Sequence, residues 1–307
     1  MSEQVEFRGW HHCRRLTNGM VDVIVTTDVG PRIVRYGFVG GDNVLCEVRD
    51  EDGLTGGDSW HMYGGHRLWH SPEASPRTYQ PDGMAVPFED KENSIVLRPL
   101  VEEATGIQKE LEVSLDATGT GVLLTHRLTN RGAWPVRLAA WAITVMAPGG
   151  VEVLPQTRAE TGLLPNRCIA LWPYARMDDP RVHWGGRFTV LHQDPSIKAP
   201  FKAGLTNHAG WAAYFNRHTA FIKQFSFLPG SVYPDFGMNF ETYTTDFMLE
   251  METLSPLQTL EPGESVEHLE SWQLVGDVSY PGGGESDIAT VLRDCCKLDL
   301  AGTEEEV

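Results

Sequence analysis

The sequence predicts an all-β protein built from antiparallel strands. Apolar and polar residues alternate in about a dozen short runs, and this period of two is typical of strands with one buried face. Clusters of Gly, Pro, Asn and Asp separate the runs, and no helical pattern stands between them. Strands that follow one another without crossover helices pair antiparallel, so we expect two sheets packed as a sandwich.

The clearest predicted strand covers residues 107–116. One face carries Ile107, Leu111, Val113 and Leu115, the other carries Gln, Glu and Ser side chains, and only Lys109 is out of pattern. Such a strand buries its apolar face against a second layer. Similar runs predict further strands at 21–25, 33–38, 94–97, 122–128, 136–146, 187–191, 211–215, 221–227, 247–254 and 266–274.

One helix is predicted, near the C-terminal end of the sequence. Apolar side chains repeat there at the helical spacing i, i+3, i+4 and i+7 from Ile288, and Ser286 or Asp287 could cap its first turn. Residues 301–307 include three successive glutamates and little that could pack, so we expect a disordered acidic tail. No linker or repeat interrupts residues 1–300, and we expect them to form a single domain.

Composition limits the classes of partner. The formal net charge is −17, so electrostatic repulsion makes nucleic acid and anionic membrane surfaces unfavourable partners. The first 20 residues lack an apolar run of signal-peptide length, and no stretch approaches the roughly 20 apolar residues that span a bilayer. Five cysteines without a CxxC pair suit a reducing compartment. We therefore expect a cytoplasmic protein.

Residues 59–79 are unusually rich in side chains that could bind a ligand. The segment lacks strand alternation, which predicts a loop. Aromatic faces can stack on a sugar ring, and Arg, His and Glu can hydrogen-bond its hydroxyls or a carboxylate. The alternative is a compact loop held over the sandwich by its own aromatic side chains. The candidates in this segment are His66, Arg67, Trp69, His70, Arg77 and Tyr79.

Metal and cofactor motifs are weak or missing. His61, His66 and His70 could supply three imidazoles, but two glycines and a proline interrupt any helix that would align them. The sequence holds no GxSxG elbow, no P-loop and no GxGxxG after a strand. We therefore expect neither a metal site nor a cofactor.

Two carboxylates share one face of the predicted strand at 247–254. Glu250 and Glu252 stand about 7 Å apart along a strand, while Leu249 and Met251 point to the core. Like-charge repulsion can raise the pKa of one of them enough for acid/base catalysis near neutral pH. The alternative is a solvated outer face in an acidic protein.

Further candidates lie at 233–243, a run with poor strand character that predicts a binding loop. Its polar and aromatic candidates are Asp235, Asn239, Glu241 and Tyr243. Lys223 stands among phenylalanines, and it could either extend along apolar surface to solvent or face a ligand. His126 shares a face with apolar residues, which favours a core histidine.

Several motifs resemble a known superfamily. The stretch from Leu128-Thr129-Asn130 to Gly149-Gly150 resembles the aldose 1-epimerase segment that carries the catalytic histidine. The ending at 249–274, with Pro262-Gly263-Glu264, resembles that family's Glu-Thr-Gln strand and closing strand pair. GGHRLWHSPE, LWPY, YPDFG and NFETY resemble a bacterial family of the galactose-mutarotase-like superfamily, over most of residues 10–275.

The resemblance implies a large antiparallel β-supersandwich of galactose-mutarotase type, with one C-terminal helix and a ligand across its concave sheet. It implies Glu252 as the general base, with Glu250 as the second choice. No histidine lies between residues 127 and 181, and Trp141 or a neighbour stands where the epimerases have theirs. His66 or His70 would then supply the acid.

These observations predict a carbohydrate-active enzyme that uses acid/base chemistry at or near the anomeric carbon, of epimerase, isomerase or lyase type. A non-catalytic carbohydrate-binding protein and a glycoside hydrolase, which needs two carboxylates about 5 to 9.5 Å apart, are the alternatives. The expected ligand is a small carbohydrate, and Arg67 makes an anionic one an option. Residues 59–79 and Glu252 should line one cleft.

Overall fold

The computed structural model describes residues 1–158, 162 and 166–300. The predicted acidic tail at 301–307 lies outside the described residues. Strands dominate, as the alternation predicts. They are β1 (Glu3–Phe7), β2 (Trp10–Thr17), β3 (Val21–Thr26), β4 (Arg32–Phe38), β5 (His66–Ser71), β6 (Phe88–Asp90), β7 (Ser94–Leu97), β8 (Ile107–Leu115), β9 (Val122–Asn130), β10 (Val136–Met146), β11 (Val151–Pro155), β12 (Ile169–Leu171), β13 (Val182–Trp184), β14 (Phe188–His192), β15 (Phe201–Leu205), β16 (Trp211–Asn216), β17 (Thr219–Phe225), β18 (Phe240–Thr244), β19 (Leu249–Leu254), β20 (Gln258–Leu260) and β21 (Ser265–Gly276).

The strands form two antiparallel sheets. The front sheet has the order β1-β2-β3-β4-β5-β10-β19-β18-β15-β12, with β20 also paired to β10. The back sheet has the order β13-β14-β11-β16-β17-β21-β9-β8-β7-β6. This is the large antiparallel supersandwich that the sequence predicts.

The main core lies between the two sheets. The alternation predicted for β8 is confirmed, because Ile107, Leu111, Val113 and Leu115 are all buried. Aromatic side chains from both sheets meet there, such as Tyr36 and Trp272, whose ring centroids are 5.8 Å apart. The inner faces of the sheets therefore supply the hydrophobic burial that holds the sandwich together.

The C-terminal helix α1 (Glu285–Asp294) packs on the outer face of the back sheet. Ile288, Ala289 and Leu292 are buried there. The helix begins slightly earlier than predicted, after Gly284, and the expected side-chain cap is wrong because the structure shows no cap hydrogen bond from a side chain. Apart from α1, the helical structure within the described residues is a 3₁₀ turn at Arg49–Glu51. None of the described helices has the length and apolar character of a membrane-spanning segment.

The expectation of a loop over residues 59–79 is wrong in its middle. β5 runs through this segment and lies in the centre of the front sheet, between β4 and β10. All six of its residues are buried, and polar side chains lie on both faces of the strand. The 233–243 segment likewise ends in a strand, because β18 begins at Phe240.

Candidate functional site

Five neighbouring strands of the front sheet, β5, β10, β19, β18 and β15, present polar and aromatic side chains on the face opposite the core. Alternate residues of a strand point to opposite faces, and residues directly opposite on paired strands share a face. Ile143 is opposite both Arg67 and Glu252, and Glu252 is opposite Glu241. Chain segments distant in sequence therefore supply one surface.

This surface forms the floor of a cleft with two lobes. The first lobe has a volume of about 380 Å³ and the second about 420 Å³. Both are bordered by Glu73, Tyr79, Trp141 and Trp172, so they are parts of one cleft. The first, here called the Arg67 lobe, is also lined by Trp60, Met62, Arg67, Trp69, Ile143, Tyr174, Pro200, Lys202, Tyr243 and Glu250. The second, here called the Asp235 lobe, is also lined by Ala74, Ser75, Asp235 and Glu241.

Aromatic rings form the walls of the Arg67 lobe. The centroid of Trp69 lies 5.1 Å from that of Trp60, 5.0 Å from Tyr79 and 5.4 Å from Trp141, each in an edge-to-face arrangement. Such contacts fix the ring planes. The cleft therefore offers rigid apolar surfaces beside its charged groups, a combination that suits a sugar ring.

A buried ion cluster lies at the floor of the cleft. Lys202 Nζ is 2.8 Å from Glu241 Oε2 and 2.9 Å from Glu252 Oε2. The same ammonium group lies 4.7 Å from the ring centroids of both Trp141 and Trp172. The positive charge is thus held between two carboxylates and two aromatic faces.

Each carboxylate of the cluster has an oxygen that accepts no hydrogen bond. Trp141 Nε1 donates a hydrogen bond to Glu252 Oε2 at 2.8 Å, the oxygen that also accepts from Lys202. Glu252 Oε1 and Glu241 Oε1 have no hydrogen-bond partner among the described residues, although both side chains are fully buried. A buried carboxylate oxygen without a partner is costly, so each is available to a ligand or to a proton.

The cluster favours proton binding by its carboxyl groups. Burial raises the pKa of Glu252, and the charge of Glu250 adds to the rise. Burial also raises the pKa of Glu241 well above its usual range, where the charges of Glu252 and Asp235 add to the effect. Burial alone would lower the pKa of Lys202, but the two carboxylates outweigh it and raise this pKa. Two buried carboxyl groups that share one ammonium therefore bind protons more tightly than exposed carboxyl groups do.

Arg67 lies in the wall of the Arg67 lobe. Its Nη2 donates to Glu250 Oε1 at 3.0 Å, and its guanidinium carbon lies 4.5 Å from the Trp69 centroid and 5.3 Å from that of Trp60. Nε and Nη1 are buried and have no hydrogen-bond partner among the described residues. Arg67 therefore brings two donors to the Arg67 lobe.

The structure corrects the expectation that His66 and His70 reach the ligand. They alternate with Arg67 and Trp69 along β5, so they point to the inner face of the front sheet. His66 Nε2 lies 2.7 Å from His126 Nε2, and His70 Nε2 lies 3.5 Å from Glu102 Oε2. Neither histidine lines the cleft, so neither can protonate a ligand there.

Lys223 and Asn239 also lie elsewhere than the sequence suggested. Lys223 is buried between the sheets, where its Nζ donates to Glu270 Oε1 at 2.9 Å and to the Met251 carbonyl at 3.0 Å. Asn239 exchanges two hydrogen bonds with the backbone of Asn207, at 2.7 and 2.8 Å. Lys223 pairs with a buried carboxylate, and Asn239 hydrogen-bonds to the backbone. Neither side chain lines the cleft.

Arg77 is the fifth predicted site residue that lies outside the cleft. Its Nη2 donates to the Pro72 carbonyl, so the side chain fixes the turn after β5 and does not line either lobe. In contrast, the structure places Arg67, Trp69, Tyr79, Trp141, Asp235, Glu241, Tyr243 and Glu250 along the cleft, with Glu252 bonded to its floor.

The buried histidines belong to a hydrogen-bonded network. His126 Nδ1 donates to the His268 carbonyl at 3.0 Å, so His126 Nε2 accepts from His66 Nε2. His66, His126 and Glu270 have ligand atoms within 4.8 Å of one another. However, the His66–His126 contact is a hydrogen bond and Glu270 already accepts from Lys223. This donor set does not fit a metal ion.

Sequence reasoning missed Lys202, Trp172 and Tyr174 as individual site residues. Trp172 and Tyr174 belong to the LWPY motif, which contributed only to the resemblance. Lys202 is a lysine between apolar residues on β15, and that isolated charge was its available signal. Its pairing position opposite Tyr243 brings it to the cleft.

The sequence matches no family model and no curated protein. Solved structures with a similar fold include a galactose mutarotase-like protein from Clostridium acetobutylicum, with a TM-score of 0.56 and 13% identity, over 90% of this chain and 98% of that chain. Another, from Lactobacillus casei ATCC 334, has a TM-score of 0.53 and 10% identity, over 85% of this chain and 99% of that one. A TPR-domain containing protein from Parabacteroides distasonis ATCC 8503 matches with a TM-score of 0.59 and 14% identity, over 87% of this chain and 47% of its own. The chain therefore has the fold of the galactose mutarotase-like proteins, as its motifs predicted.

Proposed function

We propose that the cleft binds a carbohydrate and that the protein is a carbohydrate-active enzyme using acid/base chemistry at or near the anomeric carbon. The observation that carries this proposal is the cluster of Lys202, Glu241 and Glu252 beneath the rings of Trp141 and Trp172. It combines a surface for stacking a sugar with a pair of carboxyl groups whose pKa values are raised.

The binding part of the proposal rests on the walls of the cleft. Trp69, Trp141 and Trp172 provide ring faces for the C–H faces of a sugar. Arg67 provides two unused donors, and Glu250 and Glu241 provide acceptors. Apolar faces flanked by a few convergent polar groups are the usual features of a small-molecule site.

In the proposed reaction, Glu252 acts as general base and takes the proton of the anomeric hydroxyl. Glu241 acts as general acid and donates a proton to the ring oxygen, which opens the ring. Rotation about the bond between the carbonyl carbon and the next ring carbon then presents the other face of the carbonyl group. Ring closure with the reverse proton transfers gives the other anomer. Glu241 suits the role of acid because burial and neighbouring charge raise its pKa. It replaces His66 and His70, which face the core.

Lys202 has a supporting role in this proposal. Its pKa is raised by the carboxylates, so it keeps its proton at neutral pH. It therefore stabilises whichever carboxylate is ionised and keeps the two groups on the same side of a ligand. We also propose that the ligand part at Arg67 is neutral, because Glu250 already balances the charge of Arg67.

A non-catalytic sugar-binding protein is the second candidate. Glu252 Oε2 already accepts from both Trp141 and Lys202, and Glu252 does not border either lobe directly. In that case the cluster would only shape the floor of the cleft.

We also propose a cytoplasmic protein, since the five cysteines are free thiols.

The test compares binding and catalysis in matched variants. Sugar binding is measured by calorimetry, and anomer exchange by NMR, in the wild type, Glu252→Gln and Glu241→Gln. We expect both variants to fold and to bind, with exchange lowered by about 100-fold or more. Glu267→Gln, on the outer face of the back sheet, is the matched control and should behave as wild type.

Wild-type exchange rates in well-folded Glu252→Gln and Glu241→Gln proteins would remove both groups from the mechanism. Tight binding without detectable exchange in the wild type would favour the non-catalytic candidate. Binding to no sugar would overturn the proposal as a whole.

A further inference from the structure

The Asp235 lobe differs in charge from the rest of the cleft. Its lining includes three carboxylates, on Glu73, Asp235 and Glu241, and no Lys, Arg or His among the described residues. Both cationic side chains of the cleft, Arg67 and Lys202, border the other lobe. The lobe therefore concentrates negative charge in a protein whose net charge is already −17.

The carboxylates of this lobe have few partners of their own. Glu241 is fully buried; its Oε2 pairs with Lys202 from the Arg67 lobe, and its Oε1 has no hydrogen-bond partner within the described ranges. Glu73 accepts from the neutral hydroxyl of Tyr79. Asp235 lies close enough for its charge to act on Glu241. Even with a proton on Glu241, two acidic side chains remain without a positive partner in the lobe.

A metal ion does not account for the lobe. Three carboxylates that ligate one metal must bring their oxygens close together. In the part of the chain that the structure describes, the side chains that converge within 4.8 Å are those of the buried histidine network, and Glu73, Asp235 and Glu241 are not among them. Glu73, Asp235 and Glu241 therefore do not converge closely enough to ligate one metal ion.

We propose that the Asp235 lobe receives the ammonium group of an amino sugar, an inference that rests on the proposed carbohydrate function of the cleft. Asp235 and Glu73 would pair with the ammonium group, and Glu241 would lie behind them. Trp141 and Trp172 border the lobe as well, and indole faces attract cations. A neutral hydroxyl at the same position would leave the excess of negative charge unbalanced.

The test measures affinities by calorimetry at pH 6.5 and low salt. The probes are glucosamine, galactosamine, mannosamine and 6-amino-6-deoxyglucose, each compared with its neutral parent hexose. We expect at least one amino sugar to bind about tenfold tighter than its parent, which corresponds to about 1.4 kcal/mol. The preference should shrink in 0.5 M NaCl, because salt screens partly exposed charges.

Variants assign the preference to the lobe. Asp235→Asn and Glu73→Gln should each reduce the ratio of the two affinities, and the double variant should bring it close to one. Asparagine is suited to residue 235 because the backbone there is left-handed, with φ of 49°, a conformation that Asn adopts readily. Glu92→Gln, beside the back-sheet strand β7, removes the same charge elsewhere and should leave the ratio unchanged.

Equal affinities for every amino sugar and its parent would overturn the inference and leave the proposed function intact. A preference that persists in the double variant would also overturn it, since another group would then bind the ammonium. Absence of binding to all seven sugars, amino or neutral, would overturn the proposed function together with the inference.

Discussion

Replacement of Lys202 by Met removes the ammonium group that lies 2.8 Å from Glu241 and 2.9 Å from Glu252. Two buried carboxyl groups then face each other without a counter-charge. We expect the variant to fold with lower stability, and the loss to grow with pH. Removal of one partner of a buried ion pair costs about 3–5 kcal/mol, which we expect near pH 8.

The pH dependence follows from the direction of the pKa shifts. The pKa values of Glu241 and Glu252 are raised in the folded protein. Stability from a carboxyl group with a raised pKa is fully present below the unfolded pKa and is lost as pH rises through the folded pKa. The charge of Lys202 lowers both pKa values, so its removal should raise them further, and we expect the folded variant to hold one proton more than the wild type at neutral pH. One proton corresponds to about 1.4 kcal/mol per pH unit, so the stability gap should widen by about 2.7 kcal/mol from pH 6 to pH 8.

The assay is urea unfolding followed by tryptophan fluorescence at pH 5, 6, 7 and 8. A Lys202→Met/Glu241→Gln double variant serves as control: it keeps one buried carboxyl group and so one retained proton, as in the wild type, and its stability gap to the wild type should stay nearly constant with pH. A gap between the wild type and Lys202→Met that stays constant from pH 5 to pH 8 would refute the reasoning. In that case the two carboxyl groups would not share a proton with the help of Lys202.

Three further outcomes are expected. Arg67→Ala should weaken a neutral sugar and the matching uronate alike, by about tenfold in calorimetry, because Glu250 already neutralises Arg67; a larger loss for the uronate would show recognition of an anion. His66→Gln should lower the free energy of unfolding by about 1–3 kcal/mol with no change in the pH profile of catalysis, and an altered profile would return His66 to the mechanism. Polarimetry on fresh α-glucose and α-galactose should show slow mutarotation, because these neutral hexoses lack the ammonium group that we propose for the Asp235 lobe; rates typical of dedicated epimerases would contradict this.

The sequence was sufficient to predict the sandwich and the orientation of β19. Alternation placed Glu250 and Glu252 on one face and Leu249 and Met251 in the core, and all four are found there. This worked because a strand with one buried apolar face leaves a period-two pattern. The C-terminal helix was predicted for the same reason, from its period of 3.6.

The local sequence pattern failed to predict β5, a strand that is buried on both faces and carries polar side chains on both. β5 reads HRLWHS, with Arg67 and Trp69 toward the cleft and His66 and His70 toward the core. Neither face is simply apolar, so the run resembles a loop in sequence. Had it been recognised as a strand, its alternation would have shown that the histidines and Arg67 face opposite sides.

Long-range pairing determined the rest of the site. Lys202 comes to the cluster because β15 pairs with β18, and Trp172 lies just after the short edge strand β12. Neither position can be predicted from the pattern of neighbouring residues in the sequence. The pairing of Glu241 with Glu252 also depends on strand register, which a one-residue slip would reverse. These features required the three-dimensional arrangement.

The central claim is that a sugar lies in the cleft with its anomeric centre beside Glu241 and Glu252. A crystal structure of the protein soaked with amino sugars and neutral hexoses tests it most directly. The account predicts a ring between the aromatic walls, with its anomeric or ring oxygen within about 2.6–3.2 Å of a carboxyl oxygen of Glu241 or Glu252. A sugar bound outside the cleft, or one whose anomeric centre faces away from both carboxyl groups, would contradict the account.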